Sequence, residues 1–160
     1  MKYKHFNIFL FFLIFLWSCS TTKVETTHKT EKVLPKQLLH DVNLAVEKNV
    51  SWVNLMPGAK PKFHISGKVN LLEGDGYNIK TTSLKYIKVF QDGKEIYFIK
   101  PKIREENKGN IKHYLYSTIS GLSIVKKLNT KKNVDLEFVF TDGKKELLYQ
   151  IKNVELQEVH

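Results

Sequence analysis

Few residues in this chain combine the type and setting that chemistry needs. A hydrolytic triad requires a nucleophile, a base and a group that orients the base. His5 and His28 lie within the first 30 residues and His160 is the last, which leaves His40, His64 and His113 as candidate bases in a folded region. No G-x-S-x-G elbow and no H-E-x-x-H segment accompanies them. Asp75, Asp92 and Asp142 each precede a glycine, where an aspartate bonds nearby backbone in a turn. These residues point away from an enzyme. Met56 and His64 are soft and borderline ligands of the kind a Cu(I) site uses. They belong to the segment Ser51–Gly67, which also carries Trp52, Asn54, Pro57 and Pro61. Prolines stiffen a loop, and a stiff loop loses less order on contact. Trp52, Asn54, Met56 and His64 therefore make the candidate binding loop. The plainer alternative has Trp52 and Met56 plugging one end of a β-domain, with His64 at a strand edge. Two ligands are too few for a metal site, so no metal and no cofactor is expected.

The last reactive side chain is Cys19, the only cysteine. It follows a basic head (Met1-Lys2-Tyr3-Lys4-His5) and an apolar run from Phe6 to Ser18. The run falls short of the roughly 20 apolar residues that span a bilayer, but it fits the core of a secretory signal. Leu16-Trp17-Ser18-Cys19 resembles the lipobox of bacterial lipoproteins, with Leu at −3, a small residue at −1 and Cys at +1. That resemblance implies that residues 1–18 are a cleaved signal peptide and that the Cys19 thiol carries a diacylglyceryl group, with a further acyl chain (palmitate or a relative) on its amine. Several acyl chains on one residue hold a protein on a membrane durably, where one chain alone does so only marginally. Ser20 is not the aspartate that retains such lipoproteins in an inner membrane. The implied location is the cell envelope, at the outer membrane where a cell has two. The segment LMPGAKPKFH also resembles, faintly, the PGG-x-H-x-M stretch of periplasmic copper chaperones with a cupredoxin-like fold. It implies copper binding or delivery through Met56 and His64 as the alternative function. The region downstream of Cys19 is similar to small extracytoplasmic lipoproteins that carry a W-V-N-L-M-P-G segment ahead of a sandwich domain, a likeness that implies no activity.

The remaining composition sets the frame. The chain carries 26 basic and 16 acidic side chains, and loss of Lys2 and Lys4 with the signal leaves a formal +8. Arg104 is the only arginine. Nucleic-acid recognition favours the bidentate guanidinium fork, so a lysine excess of this kind argues against a nucleic-acid partner. It suits anionic envelope polymers or a protein partner. The basic clusters are Lys100/Lys102/Arg104, Lys126/Lys127 with Lys131/Lys132, and Lys144/Lys145, and they would form a binding surface only if they converged. One lone thiol rules out disulfides in the domain.

Residues 19–37 are rich in Thr, Lys and Glu and read as a flexible tether. Fully extended it reaches at most roughly 60 Å. Residues 38–160 suffice for one core. Alternation of apolar and polar residues predicts strands over 42–55, 63–71, 84–90, 96–99, 111–119, 134–140 and 147–156. In the first of these Val42, Leu44, Val46, Val50 and Trp52 share one parity, and Lys48 is the exception; a helix over 36–47 competes. Gln91-Asp92-Gly93-Lys94 is a two-residue hairpin signal, and Thr141-Asp142-Gly143-Lys144 repeats its chemistry. Residues 104–110 read as a charged loop. About seven short strands with regular turn signals predict an all-β, antiparallel, immunoglobulin-like β-sandwich. A hollow barrel carrying a small ligand is the second architecture. The aromatic core candidates are Trp52, Phe63, Tyr86, Phe98, Tyr116, Phe138 and Phe140.

Overall fold

The computed structural model describes residues 40–160. The expected signal peptide, Cys19 and the tether lie outside the described residues. The described chain is all-β, with ten strands and no helix: β1 Leu44–Asn54, β2 Lys62–Leu72, β3 Ser83–Gln91, β4 Lys94–Ile99, β5 Lys102–Lys108, β6 Ile111–Ser117, β7 Leu122–Ser123, β8 Val134–Thr141, β9 Glu146–Val154 and β10 Leu156–Val159. They form a β-sandwich. The first sheet runs β10-β1-β2-β6-β5, with the two-residue β7 also on β2. The second runs β4-β3-β8-β9. Every pairing is antiparallel except β1 with β10.

Alternation produces the core. Phe63, Ile65, Val69 and Leu71 on β2, with Tyr114 and Tyr116 on β6, turn inward from the first sheet. Ile87, Val89, Leu136, Phe138, Phe140, Leu147 and Ile151 meet them from the second. Three aromatic contacts join the layers: Phe63 lies parallel to Tyr97 with centroids 4.8 Å apart, Tyr114 meets Phe140 edge-on at 5.6 Å, and Tyr116 meets Phe138 edge-on at 5.3 Å. Large side chains thus fill the interior between the sheets.

The turns follow their chemistry. Asp92 and Gly93 both have positive φ (50° and 75°), the type I′ geometry that matches strand twist in a two-residue hairpin. The β8–β9 turn is longer than expected, because β9 begins only at Glu146. Its Asp142 accepts the Lys144 and Lys145 N–H groups at 2.9 and 3.0 Å. Those two backbone bonds hold the Asp142 carboxyl below the usual aspartate range.

Four expectations need correction. Residues 104–110 are not a loop: β5 occupies 102–108, and the turn is at Gly109-Asn110. β5 is an edge strand, and its charges discourage pairing with another chain while remaining in water. The single strand expected over 147–156 divides at Glu155, so β9 belongs to one sheet and β10 to the other. Phe98 is half exposed, pointing outward from β4 and covering Tyr86 at 4.5 Å between centroids. Trp52 also leaves the core. The β1–β2 register shifts between Val46 and Lys48, where Glu47 is an extra residue. One inserted residue reverses which face each later side chain takes. Ser51 and Val53 are therefore buried, and Trp52 stands on the outer face.

Candidate functional site

The four residues of the candidate loop do not form one cluster. Trp52 and His64 are direct cross-strand partners on the outer face of the first sheet, and their rings stack at 4.8 Å and 8°. Gly121 packs closely against the imidazole. It has φ +66°, and a Cβ added there would lie 2.5 Å from His64 Cε1 and Nε2. His64 is thus held in a packed stack. The Asn54 side-chain oxygen accepts the Met56 N–H at 3.0 Å, and the Met56 carbonyl accepts the Ala59 N–H at 3.2 Å. These bonds shape the turn between β1 and β2. Met56 itself is 46% exposed, so it does not plug the sandwich end.

The other histidines serve separate contacts. His40 stacks on Tyr149 at 4.0 Å. His113 Nδ1 is 2.6 Å from the Asn70 side-chain oxygen. The Asn70 amide donates to Glu47, and Glu47 pairs with Lys68 at 2.7 Å. With the Asn70 amide committed to Glu47 as donor, its oxygen takes the proton on His113 Nδ1. Lys68 and then Asn70 pull the Glu47 carboxyl below the usual glutamate range. Among the described residues no group of three or more His, Cys, Asp and Glu could hold a metal ion.

Beside this chain of polar contacts lies a feature that no sequence segment announced. An open concavity of about 560 Å³ is sunk into the outer face of the first sheet. Register arranges its lining in rows across β1, β2, β6 and β5. One row is Ser66, Ser117 and Lys102; the next is Lys48, Lys68, Leu115 and Arg104. The two serines face each other at the floor, where short side chains leave the depression. Lys48 stands on one bank, and Lys102 and Arg104 on the other. Below the floor Gly67 lets the buried Tyr116 ring pass close to the backbone, and the Tyr116 hydroxyl donates to Asn49 at 2.8 Å.

Charge is unbalanced here. Of the four cations only Lys68 has a carboxylate, that of Glu47. The side chains of Lys48, Lys102 and Arg104 form no ion pair or hydrogen bond among the described residues. Glu106, the next outward residue on β5, turns to Lys108 at 3.7 Å. Free ammonium and guanidinium groups beside hydroxyl donors suit a carboxylate or phosphate, because bonds to an ionised acceptor are the stronger kind.

The other basic clusters do not join this one. Lys131 pairs with Glu158 and Lys132 with Asp92 at 2.8 Å. Buried Gln91 clamps their loop by bonding Asn129, Lys132 and Asn133 backbone oxygens and the Asn129 N–H. Lys144 and Lys145 lie at the other end of β3, next to the Ser83–Thr141 pairing. Only Lys102 and Arg104 among the clustered cations reach the concavity, where Lys48 and Lys68 meet them. No protein-family model matches the chain, and no curated protein and no solved structure matches it either.

Proposed function

We propose that this chain is a lipid-anchored accessory protein of the cell envelope that works by binding rather than catalysis, through the outer face of its first sheet. In this reading residues 1–18 are the signal, Cys19 carries the lipid, residues 19–37 are the tether, and residues 38–160 are the interaction domain. The lipobox-like Leu16-Trp17-Ser18-Cys19 supports the anchor, and Ser20 favours the outer membrane. A tether leaves the domain free to present any face to its surroundings. The observation that carries the binding role is the trio Lys48, Lys102 and Arg104, unneutralised around an open concavity. Cations left without partners on a folded surface are available to an anionic partner.

The test uses the chain expressed with its own N-terminus. Fatty-acid labelling and membrane fractionation read the anchor: Cys19→Ser should abolish labelling. Saturable binding of the purified protein to isolated envelope material reads the face. The triple variant Lys48→Gln/Lys102→Gln/Arg104→Gln should lose most of that binding. Binding that is indifferent to all three changes removes the face from the reading, and labelling that survives Cys19→Ser removes the anchor.

A further inference from the structure

We infer that the concavity on the outer face is a track for a linear polyanion rather than a pocket for a single anion. The inference rests on the binding role proposed for that face and names its ligand class. The carrying observation is the separation of the cations. Lys48 lies on β1 and Arg104 on β5, in one row with Lys68 and Leu115 between them. Three strand-to-strand steps put their backbones roughly 14 Å apart. Lys102 and Arg104 are two residues apart on one strand, or roughly 7 Å. Side chains stand roughly perpendicular to a sheet, so heads extended in that direction keep these separations, and closing all three on one small anion would take long side chains out of it. A lone phosphate or carboxylate bonds only donors within about 3 Å of its oxygens. It can meet one bank and leave the other unsatisfied. A chain with an anionic group on successive repeat units meets Lys48 at one bank and Lys102 and Arg104 at the other.

The floor fits the same ligand. Ser66 and Ser117 are paired face to face, and neither hydroxyl has a partner among the described residues. They can donate to an anionic group or to a backbone oxygen of the chain as it crosses. Leu115 is 40% exposed beside them and gives the ligand's carbon skeleton an apolar contact. The one carboxylate in the lining, Glu47, does not oppose the ligand freely, because Lys68 and Asn70 already hold it.

The experiment is titration calorimetry on the purified full chain in neutral detergent at two salt concentrations. The probes are long-chain polyphosphate, poly-glutamate, orthophosphate and free glutamate. At least one polymer should bind, and the matching monomer should bind at least a hundredfold more weakly at equal anion concentration. Each cation near a charged surface contributes roughly fivefold, so Lys48→Gln/Lys102→Gln/Arg104→Gln should weaken polymer binding by about a hundredfold. Lys144→Gln/Lys145→Gln, which removes charge at another site, should change it less than threefold. Binding should weaken as salt rises. Which polymer binds decides between phosphate and carboxylate repeats. Failure of both polymers, a monomer as tight as its polymer, or equal losses in the two variants overturns the track. If polymers fail while the triple variant still loses envelope binding, the face keeps its binding role and only the polyanion falls.

Discussion

Gly67→Ala tests the packing beneath the candidate site. Gly67 sits in the interior of β2, where a glycine ordinarily weakens a strand. Its outer neighbours are Ser66 and Lys68, and its own face is inward. A Cβ there would lie 2.7 Å from Tyr116 Cζ, and closer still to the Tyr116 hydroxyl and the Lys48 carbonyl oxygen. The first obstacle is a buried ring fixed against Phe138 and bonded to Asn49. The second is backbone, brought over Gly67 by the extra residue in β1. Neither is the loose end of a flexible side chain. Overpacking of this kind costs about 1–3 kcal/mol, and loss of the Tyr116–Asn49 bond adds about 1 kcal/mol. Reduced freedom of the unfolded chain returns about 0.4–1 kcal/mol. The net expectation is a loss of about 2–3 kcal/mol, read by urea unfolding. For a domain of this size the melting temperature should fall by roughly 6–12 °C. Adding Tyr116→Phe to Gly67→Ala should recover part of the loss, because it removes one of the obstructing atoms and leaves the carbonyl. A Gly67→Ala protein as stable as the parent refutes the reasoning.

Further predictions follow from single contacts. Lys112 is almost fully buried, donates to the Thr82 carbonyl at 2.8 Å and pairs with Glu105 at 2.9 Å. Lys112→Met should lie within about 1 kcal/mol of the parent, whereas Glu105→Gln should cost about 1–3 kcal/mol by leaving a buried ammonium undercompensated; the opposite ranking in urea unfolding would contradict this. The Ser51 hydroxyl is buried without a hydrogen-bond partner, so Ser51→Ala should be neutral or stabilising by up to about 1 kcal/mol, and a clear loss would show that the hydroxyl has a role. Lys131, then Thr130, hold the Glu158 carboxyl down at about 2, against an ordinary 4.5. A depressed carboxylate adds stability above its unfolded pKa and loses it as pH falls through the folded one. Melting curves should therefore decline between about pH 4.5 and pH 2, less steeply in Glu158→Gln, and identical slopes would remove Glu158 as a cause. His64→Phe should keep the stack on Trp52 and stay within about 1 kcal/mol, while Gly121→Ala, strained at φ +66° and pressed on the imidazole, should cost about 2 kcal/mol or more.

The sandwich was legible in the sequence wherever one face of a strand is buried and the other wet. Phe63 to Leu71 alternate because the pleat alternates; β8 shows the same inward set of Val134, Leu136, Phe138 and Phe140, although Glu137 and Val139 on its other face are buried too. Asp92-Gly93 was legible because positive φ at both positions admits few residue pairs. β5 was not, because an edge strand needs little apolar surface: Ile103 is half-buried, and the rest of KIREENK is exposed. Within the candidate loop the pairing of Trp52 with His64 follows from hairpin register, yet composition alone grouped Met56 with them, and Met56 stands in solvent. The concavity was hidden for a different reason. Its lining comes from four strands and from positions as far apart as Glu47 and Ser117, and one contributor, β5, read as a loop. The cluster Lys102/Arg104 was visible in sequence; its opposite bank was not.

That opposite bank depends on the residue that broke the pattern of β1. With one parity throughout, Leu44, Val46 and Lys48 would all face the core, and a lysine would need a buried partner it does not have. The extra residue at Glu47 resolves the conflict. Glu47 reaches Lys68 and Asn70 on the outer face, Lys48 follows it there, and the phase reverses so that Ser51 and Val53 fill the inward places. The same reversal sends Trp52 outward onto His64. A bulge commonly re-aims side chains in this way. Here it converts a would-be core lysine into one bank of a cationic concavity and brings the Lys48 carbonyl over Gly67, where no side chain could stand. The irregularity in the sequence and the charged surface in the fold thus have one physical cause.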